Sequence, residues 1–198
     1  MKKAIGMFAA LIIALAMTGV AYACWRQTIY VTGTVKTGKL CVGWVDAWTD
    51  DNSGNDPGYE KNVGSSVVEL KDKKGTHGED IVYEKLKITV NNVYPCYSTT
   101  VTAVVANGGT IPVVVNGCPT VNIISDPKGL APFLDVTCSI VDYPKTFWPD
   151  MQIDPCQTVT VQCTLHVLQD VDEIECPQNA RLEFEVAIEF VQWNCAGE

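Results

Sequence analysis

Apolar and polar residues alternate with a period of two along much of the chain. In residues 182–190, leucine, phenylalanine, valine and isoleucine alternate with glutamates and an alanine. The same alternation occurs in residues 85–90, 135–140 and 159–167. Since a period of two is typical of a β-strand with one apolar face, the pattern predicts a chain made of strands.

Clusters of glycine, proline, asparagine and aspartate separate these segments, at residues 50–58, 73–78, 107–109 and 125–129. Such clusters are typical of turns between strands. Several strands that each have one apolar face bury those faces when two sheets pack against each other. The sequence therefore predicts an all-β fold, a single two-sheet sandwich over residues 36–198.

The first residues have the pattern of a secretory signal peptide. Lys2 and Lys3 precede an apolar segment, residues 5–17, and Ala21-Tyr22-Ala23 fits the cleavage rule. We therefore predict a signal peptide over residues 1–23 and a secreted protein, extracellular or on the cell surface. An uncleaved anchor and a lipoprotein acylated at Cys24 are the alternatives. No later apolar run is long enough to predict a transmembrane helix.

The charge of the chain argues against several classes of partner. Aspartate and glutamate number 23 against 14 lysines and arginines, which gives a formal charge of −9. Removal of Lys2 and Lys3 with the leader makes the mature chain more acidic. Because an acidic surface repels nucleic acids and anionic lipids, we expect neither as a partner.

All nine cysteines follow the predicted leader, and export favours disulfides. Because nine is odd, one cysteine lacks a partner within the chain, and Cys24 is the candidate for a free, lipidated or cross-linked residue. Asn107-Gly108 predicts a hairpin turn that would bring Cys96 close to Cys118, so a bridge between them is a hypothesis. Cys138 and Cys163 lie on apolar faces and either bridge across the core or remain reduced.

Three segments resemble the TasA and camelysin family of secreted β-sandwich fibre proteins, which includes archaeal bundling pilus subunits. One is "VTGTVKTGKLCVGW", residues 31–44, directly after the leader. Another is "YEKLKITVNNVYPCYSTTVTAVVANGGTIPVVV", residues 83–115, and the third is "DPGYEKNVGS", residues 56–65. The cysteine content is higher than in the familiar bacterial members.

The resemblance implies a jelly-roll-like sandwich that polymerises head to tail by donor-strand exchange, with other copies of itself as the partner. The N-terminal strand, residues 24–35, would complete a sheet of the next subunit, as an unpaired strand otherwise leaves its backbone groups unsatisfied. The residues expected at this interface are Cys24, Trp25, Ile29, Val31 and Val35. The alternative is that this segment pairs within its own sandwich as an ordinary first strand.

The loop "DDNSGNDPGYE", residues 50–60, concentrates oxygen ligands. Such a set suits calcium, although the spacing does not fit an EF-hand. Calcium is thus the one candidate cofactor, and a solvated turn is the alternative. The candidate ligands are Asp50, Asp51, Asn52 and Asp56.

Two other functions remain open from the sequence. Cys163 and His166, with His77, resemble the ligand order of a cupredoxin-like copper carrier, although Cys163 and His166 have opposite parity along a strand. A monomeric adhesin or carbohydrate-binding module is the other alternative, with tryptophans as sugar platforms: Trp44, Trp48, Trp148 and Trp193. No motif of a hydrolase is present, so we do not expect an enzyme.

Overall fold

The computed structural model describes residues 2–21, 30, 32–52, 55–141, 151–171 and 174–195. Met1–Lys36 and Thr37–Glu198 form two compact units. The first contains helix α1 (Lys2–Ala21), which covers most of the predicted signal peptide. Its apolar side chains are exposed, for example Met7 at 77% and Phe8 at 71%. Within the described residues, no helix has the length and apolar character needed to cross a membrane.

The second unit consists of strands, as the alternating pattern predicts. Within the described residues the strands are β1 (Val42–Thr49), β2 (Ser65–His77), β3 (Asp80–Val93), β4 (Ser98–Asn107), β5 (Val113–Val115), β6 (Thr120–Ser125), β7 (Leu134–Ile140), β8 (Gln152–Ile153), β9 (Thr158–Val167), β10 (Asp170–Val171), β11 (Ile174–Glu175), β12 (Ala180–Ala187) and β13 (Phe190–Gln192). The prediction of an all-β fold is therefore confirmed.

Eight strands form one curled antiparallel sheet. Its order is β6-β12-β3-β1-β4-β9-β7, and β2 pairs with β3 in addition. A three-stranded sheet has the order β13-β5-β8, and β10 pairs with β11. Every pairing within the eight-stranded sheet is antiparallel.

The core lies against one face of the eight-stranded sheet. Along β9 and β12 every second side chain is buried, which is the arrangement expected of strands with one apolar face. β3 adds the buried Leu86, Ile88 and Val90. The three-stranded sheet adds Val113, Val115 and Ile153, each no more than 1% exposed. These buried faces meet in a single hydrophobic cluster, so the two sheets share one core.

Candidate functional site

β6 and β7, the two ends of the strand order β6-β12-β3-β1-β4-β9-β7, flank one cleft. Among the described residues β6 pairs only with β12, and β7 pairs only with β9. A cleft of about 350 Å³ separates them. We call it the β6–β7 cleft, and the residues that line it all have apolar side chains: Val121, Ile123, Ala131, Leu134 and Val136.

Core-facing side chains of β6 are exposed at this cleft. Ile123 lies opposite Phe184 in β12, and residues that lie opposite each other project from the same face of a sheet. Phe184 is fully buried, yet 46% of Ile123 is exposed. Val121, opposite the buried Val186, is 38% exposed. The described residues therefore leave the core partly uncovered along this edge.

The other edge repeats the arrangement. Val136 in β7 lies opposite Leu165, and Cys138 lies opposite Cys163, both of which are 1% exposed in β9. On β7 itself Val136 and Cys138 are only half-buried. Ile140, at the end of β7, is buried. The other inward-facing side chains at the two edges are partly exposed, so the cleft has the character of a position for one more strand.

The edge of β6 has little of the protection that proteins give to exposed strands. Lysines, prolines and bulges commonly prevent another chain from pairing there. The segment Thr120–Ser125 contains no charge and no proline. Its pairing skips Ile124, which forms a bulge and is 48% exposed. Apart from this bulge, no described strand other than β12 pairs with the backbone of β6.

Most of the predicted donor strand lies outside the described residues, namely Cys24, Trp25, Ile29 and Val31. Val35 is described and is 90% exposed. Residues 32–41 belong to no helix or strand. The role of this segment as a donor strand therefore stays a prediction.

The carboxylates of the predicted calcium loop accept hydrogen bonds from the protein. Asp50 accepts one from the Thr99 hydroxyl at 2.7 Å and one from the Thr100 amide at 2.9 Å. Asp51 accepts bonds from the Ser66 amide and the Tyr97 hydroxyl, both at 2.7 Å. These acidic residues fasten a short 3-10 turn, Asp50–Asn52, to the strands beside it.

Asp56 is 2% exposed, and its carboxylate accepts bonds from the amides of Val63 and Gly64. The structure therefore uses the acids of this loop as structural acceptors. The side chain of Asn52 lies outside the described residues. No three acidic, histidine or cysteine side chains within the described part of the chain are placed to hold a metal ion. The calcium hypothesis gains no support.

The hairpin predicted at Asn107-Gly108 does not form. β4 ends at Asn107 and pairs with β1 and β9, whereas β5 belongs to the other sheet. Asn107 is fully buried instead, and its side chain bonds three backbone groups of the surrounding loops. Without the hairpin, Cys96 and Cys118 are not brought together, and both are exposed free thiols.

One disulfide is present among the described residues, between Cys138 and Cys163. It joins neighbouring strands of one sheet and does not cross the core between two sheets. Because Cys163 is in this bridge, it has no thiolate for a copper ion, and the cupredoxin-like alternative loses its central ligand. Free thiols remain on Cys41, Cys96, Cys118, Cys156 and Cys176.

The predicted sugar platforms have different environments. Trp44 is 3% exposed and belongs to the core, so it cannot stack on a ligand. Trp48 and Trp193 are 44% and 53% exposed, but Trp48 lies in β1 of the eight-stranded sheet and Trp193 lies in a 3-10 turn after β13. Trp148 lies outside the described residues.

The comparisons with known proteins identify no relative: no family model, curated protein or solved structure matches the chain. The resemblance to the TasA and camelysin family therefore rests on the sequence motifs.

The residues of the β6–β7 cleft were not among the predicted site residues. A weak signal was available, because Thr120–Ser125 is a short uncharged segment with apolar Val121 and Ile123 two positions apart. Its neighbours Pro119 and Asp126-Pro127 delimit it as a strand. The sequence does not show that β6 is an edge strand, because the position of a strand within a sheet depends on the strand order.

Proposed function

We propose that this protein is a structural subunit of an extracellular filament, a pilus or matrix fibre, and that it polymerises by donor-strand exchange. The N-terminal segment of one copy, residues 24–35, would add to the β6–β7 cleft of the next. One observation carries the proposal: both edges of the cleft hold apolar, core-facing side chains that this chain leaves partly exposed.

Strand directions support a single inserted strand. Six antiparallel pairings lead from β6 to β7, so the two edge strands run in the same direction along the sheet. One strand that runs antiparallel to both would close the sheet with every neighbouring pair antiparallel. An incoming segment would then place its N-terminus near the carboxyl ends of β6 and β7. Closure in this way would complete the predicted jelly-roll-like sandwich.

The composition of the segment suits the cleft. Trp25, Ile29, Val31 and Val35 share one parity, so they would project together toward the uncovered core. Backbone hydrogen bonds to two edges would supply affinity, and the alternate side chains would supply specificity. Because donor and acceptor are different surfaces, the contact is head to tail and builds an open filament.

An extracellular location is part of the proposal. The leader pattern of residues 1–23 predicts export, and the Cys138–Cys163 disulfide fits an oxidising compartment. Free thiols at Cys96, Cys118 and Cys156 are exposed and would be available for links between subunits.

Negative-stain electron microscopy of the mature protein, residues 24–198, beside a version that lacks residues 24–35 tests the proposal. We expect filaments from the first and single subunits from the second. A synthetic peptide of residues 24–35 should bind the shortened version with a stoichiometry of one peptide per subunit and raise its melting temperature. Single subunits in both preparations, or filaments in both, would refute donor-strand exchange.

A further inference from the structure

A second feature, separate from the β6–β7 cleft, is a depression of about 540 Å³ beside a tyrosine pair. We call it the tyrosine depression, and its lining residues are Gly58, Tyr59, Glu60, Lys61, Val63 and Tyr94. Its volume lies within the range of small-molecule sites, roughly 300–1,000 Å³. We propose that the tyrosine depression binds a neutral carbohydrate, whose ring stacks on Tyr59.

The loop that carries Tyr59 is fixed before any ligand arrives. Asp56-Pro57-Gly58-Tyr59 forms a turn in which the Tyr59 amide donates to the Asp56 carbonyl at 2.9 Å. Proline at the second position and glycine with φ of +81° at the third are the residues that a type II turn requires. The Asp56 amide also donates to the Lys61 carbonyl, and the Asp56 carboxylate holds the amides of Val63 and Gly64.

Tyr59 is the exposed end of a row of three tyrosines that begins in the core. Tyr97 is 1% exposed and donates its hydroxyl to Asp51. Tyr94 packs edge to face on Tyr97 with 5.7 Å between ring centroids, and Tyr59 packs likewise on Tyr94 at 6.0 Å. Tyr59 itself is 48% exposed. The row gives the exposed ring a fixed orientation, so little conformational entropy is lost when a ligand stacks on it.

The hydroxyl of Tyr94 is already engaged. Burial, and then its hydrogen bond to Asp56, raise the pKa of Tyr94 above the ordinary tyrosine value. At neutral pH Tyr94 therefore contributes an uncharged ring to the wall of the depression.

The charges at the rim indicate a neutral ligand. Glu60 and Lys61 are both exposed and adjacent, so their opposite charges offset each other. A nucleotide or another strongly anionic ligand would also meet an acidic chain with a formal charge of −9. A sugar ring offers an apolar face for the aromatic ring and hydroxyls for flanking carboxylate and ammonium groups, which is the combination present here.

Saturation-transfer difference NMR on the mature protein tests this site, because the method works with single subunits and with large assemblies. The probes are cellotetraose, mannotetraose and chitotetraose, each at about 10 mM so that a millimolar site is largely occupied. We expect at least one of them to receive saturation, with the strongest transfer to the protons of one ring face.

Substitutions assign the signal to the depression. Tyr59→Ala should weaken binding at least tenfold, and Glu60→Gln should weaken it less. Tyr59→Phe should retain it. Trp48→Ala is the matched control, since Trp48 is an aromatic residue of similar exposure, 44%, and does not line the depression. Circular dichroism should show unchanged strand content in every variant.

Three results would refute the proposed carbohydrate site. They are the absence of saturation transfer to all of the sugars, sugar binding that Tyr59→Ala leaves intact, and preferential binding of a proline-rich peptide at Tyr59. The shortened version that lacks residues 24–35 keeps the whole depression, so its sugar binding can be measured whether or not filaments form.

Discussion

Cys138 in β7 lies directly opposite Cys163 in β9, with 4.0 Å between their Cα atoms and a disulfide between their sulfur atoms. Cys163 is buried in the core, whereas Cys138 is half-buried on the outermost strand. The bridge therefore fastens the β7 edge of the cleft to a strand that the core already holds. This edge must keep its position if another strand is to pair with it.

Loss of the bridge should lower stability and weaken the acceptor edge. The two cysteines are 25 residues apart, and a loop of that length corresponds to about 3.5 kcal/mol of unfolding free energy. We expect the double variant Cys138→Ala, Cys163→Ala to lose stability of this order in urea denaturation. Relative to the wild type, amide hydrogen exchange in the double variant should accelerate most in β7. An unchanged denaturation midpoint would mean that packing alone holds the edge.

A charge in the cleft should prevent polymerisation without unfolding the subunit. In Ile123→Lys a cation replaces an apolar side chain that an incoming strand would cover, and burial of an unpaired charge is costly. The single subunit should tolerate the change, because 46% of Ile123 is already exposed. We expect unchanged thermal unfolding of the single subunit and no filaments in electron micrographs.

Val67→Lys provides the matched control for that substitution. Val67 is an apolar residue with similar exposure, 49%, and it lies on β2, which is outside the cleft. Filaments should form normally with this variant. If Val67→Lys blocks assembly and Ile123→Lys does not, the acceptor edge is β2.

The direction of the inserted strand can be tested with disulfides between subunits. An antiparallel strand brings Cys24 near the carboxyl end of β6, which is Ser125, and away from its first residue, Thr120. In a background with serine at Cys96, Cys118 and Cys156, oxidised filaments of Ser125→Cys should give a ladder of covalent multimers on a non-reducing gel. Thr120→Cys should not. The reverse pattern would indicate a parallel strand.

The strands can be predicted well from the sequence, because a strand that buries one face alternates apolar and polar residues. Residues 159–167 fall within β9, and the alternating segment 182–190 begins in β12, with the apolar parity buried in each strand. β12 ends at Ala187, however, and Phe190 begins β13 in the other sheet. The choice of neighbour is less predictable. Asn107-Gly108 has the local signal of a hairpin, yet tertiary contacts place β5 beside β8 and β13 instead of β4.

The candidate site could be predicted only in part, for the same reason. The acidic residues at 50–56 can be identified in the sequence. The groups that donate hydrogen bonds to their carboxylates, such as those of Ser66 and Tyr97, come from distant segments and cannot. Likewise, Ile123 and Phe184 are both apolar residues of alternating strands. Only the strand order makes the first an edge and the second an interior residue.

Asn107 should be among the most sensitive positions of the fold. Its side-chain amide donates to the carbonyls of Ile111 and Ile153, and its side-chain oxygen accepts from the Gly109 amide, at 2.9–3.0 Å. Asn107→Ala leaves three backbone groups without partners, which we expect to cost about 2–4 kcal/mol of stability. Urea denaturation measures this loss.

Asn107→Asp distinguishes the donated bonds from the accepted one. A carboxylate can still accept from Gly109, but it has no N–H to offer to Ile111 and Ile153. We expect this nearly isosteric variant to be destabilised about as much as the alanine variant. Wild-type stability of Asn107→Asp would show that the two carbonyls find other donors.

Acid should destabilise the β3–β12 pair through Glu183. The ammonium group of Lys87 lies 2.7 Å from the Glu183 carboxylate, and Lys87 first, then Arg181, hold the pKa of Glu183 below the ordinary glutamate value of 4.5. A carboxyl group whose pKa is lowered by folding stabilises the folded state above the unfolded pKa. That contribution disappears as the pH falls through the folded pKa.

Glu183→Gln removes the titrating group while it keeps the shape of the side chain. We therefore expect the wild type to lose more stability than Glu183→Gln between pH 6 and pH 3, as measured by urea denaturation at a series of pH values. Glu84→Gln, at an exposed position of β3, serves as the control and should follow the wild type. If the Glu183→Gln curve runs parallel to the wild type throughout, Lys87 and Arg181 do not stabilise the ionised carboxylate, and acid sensitivity arises elsewhere.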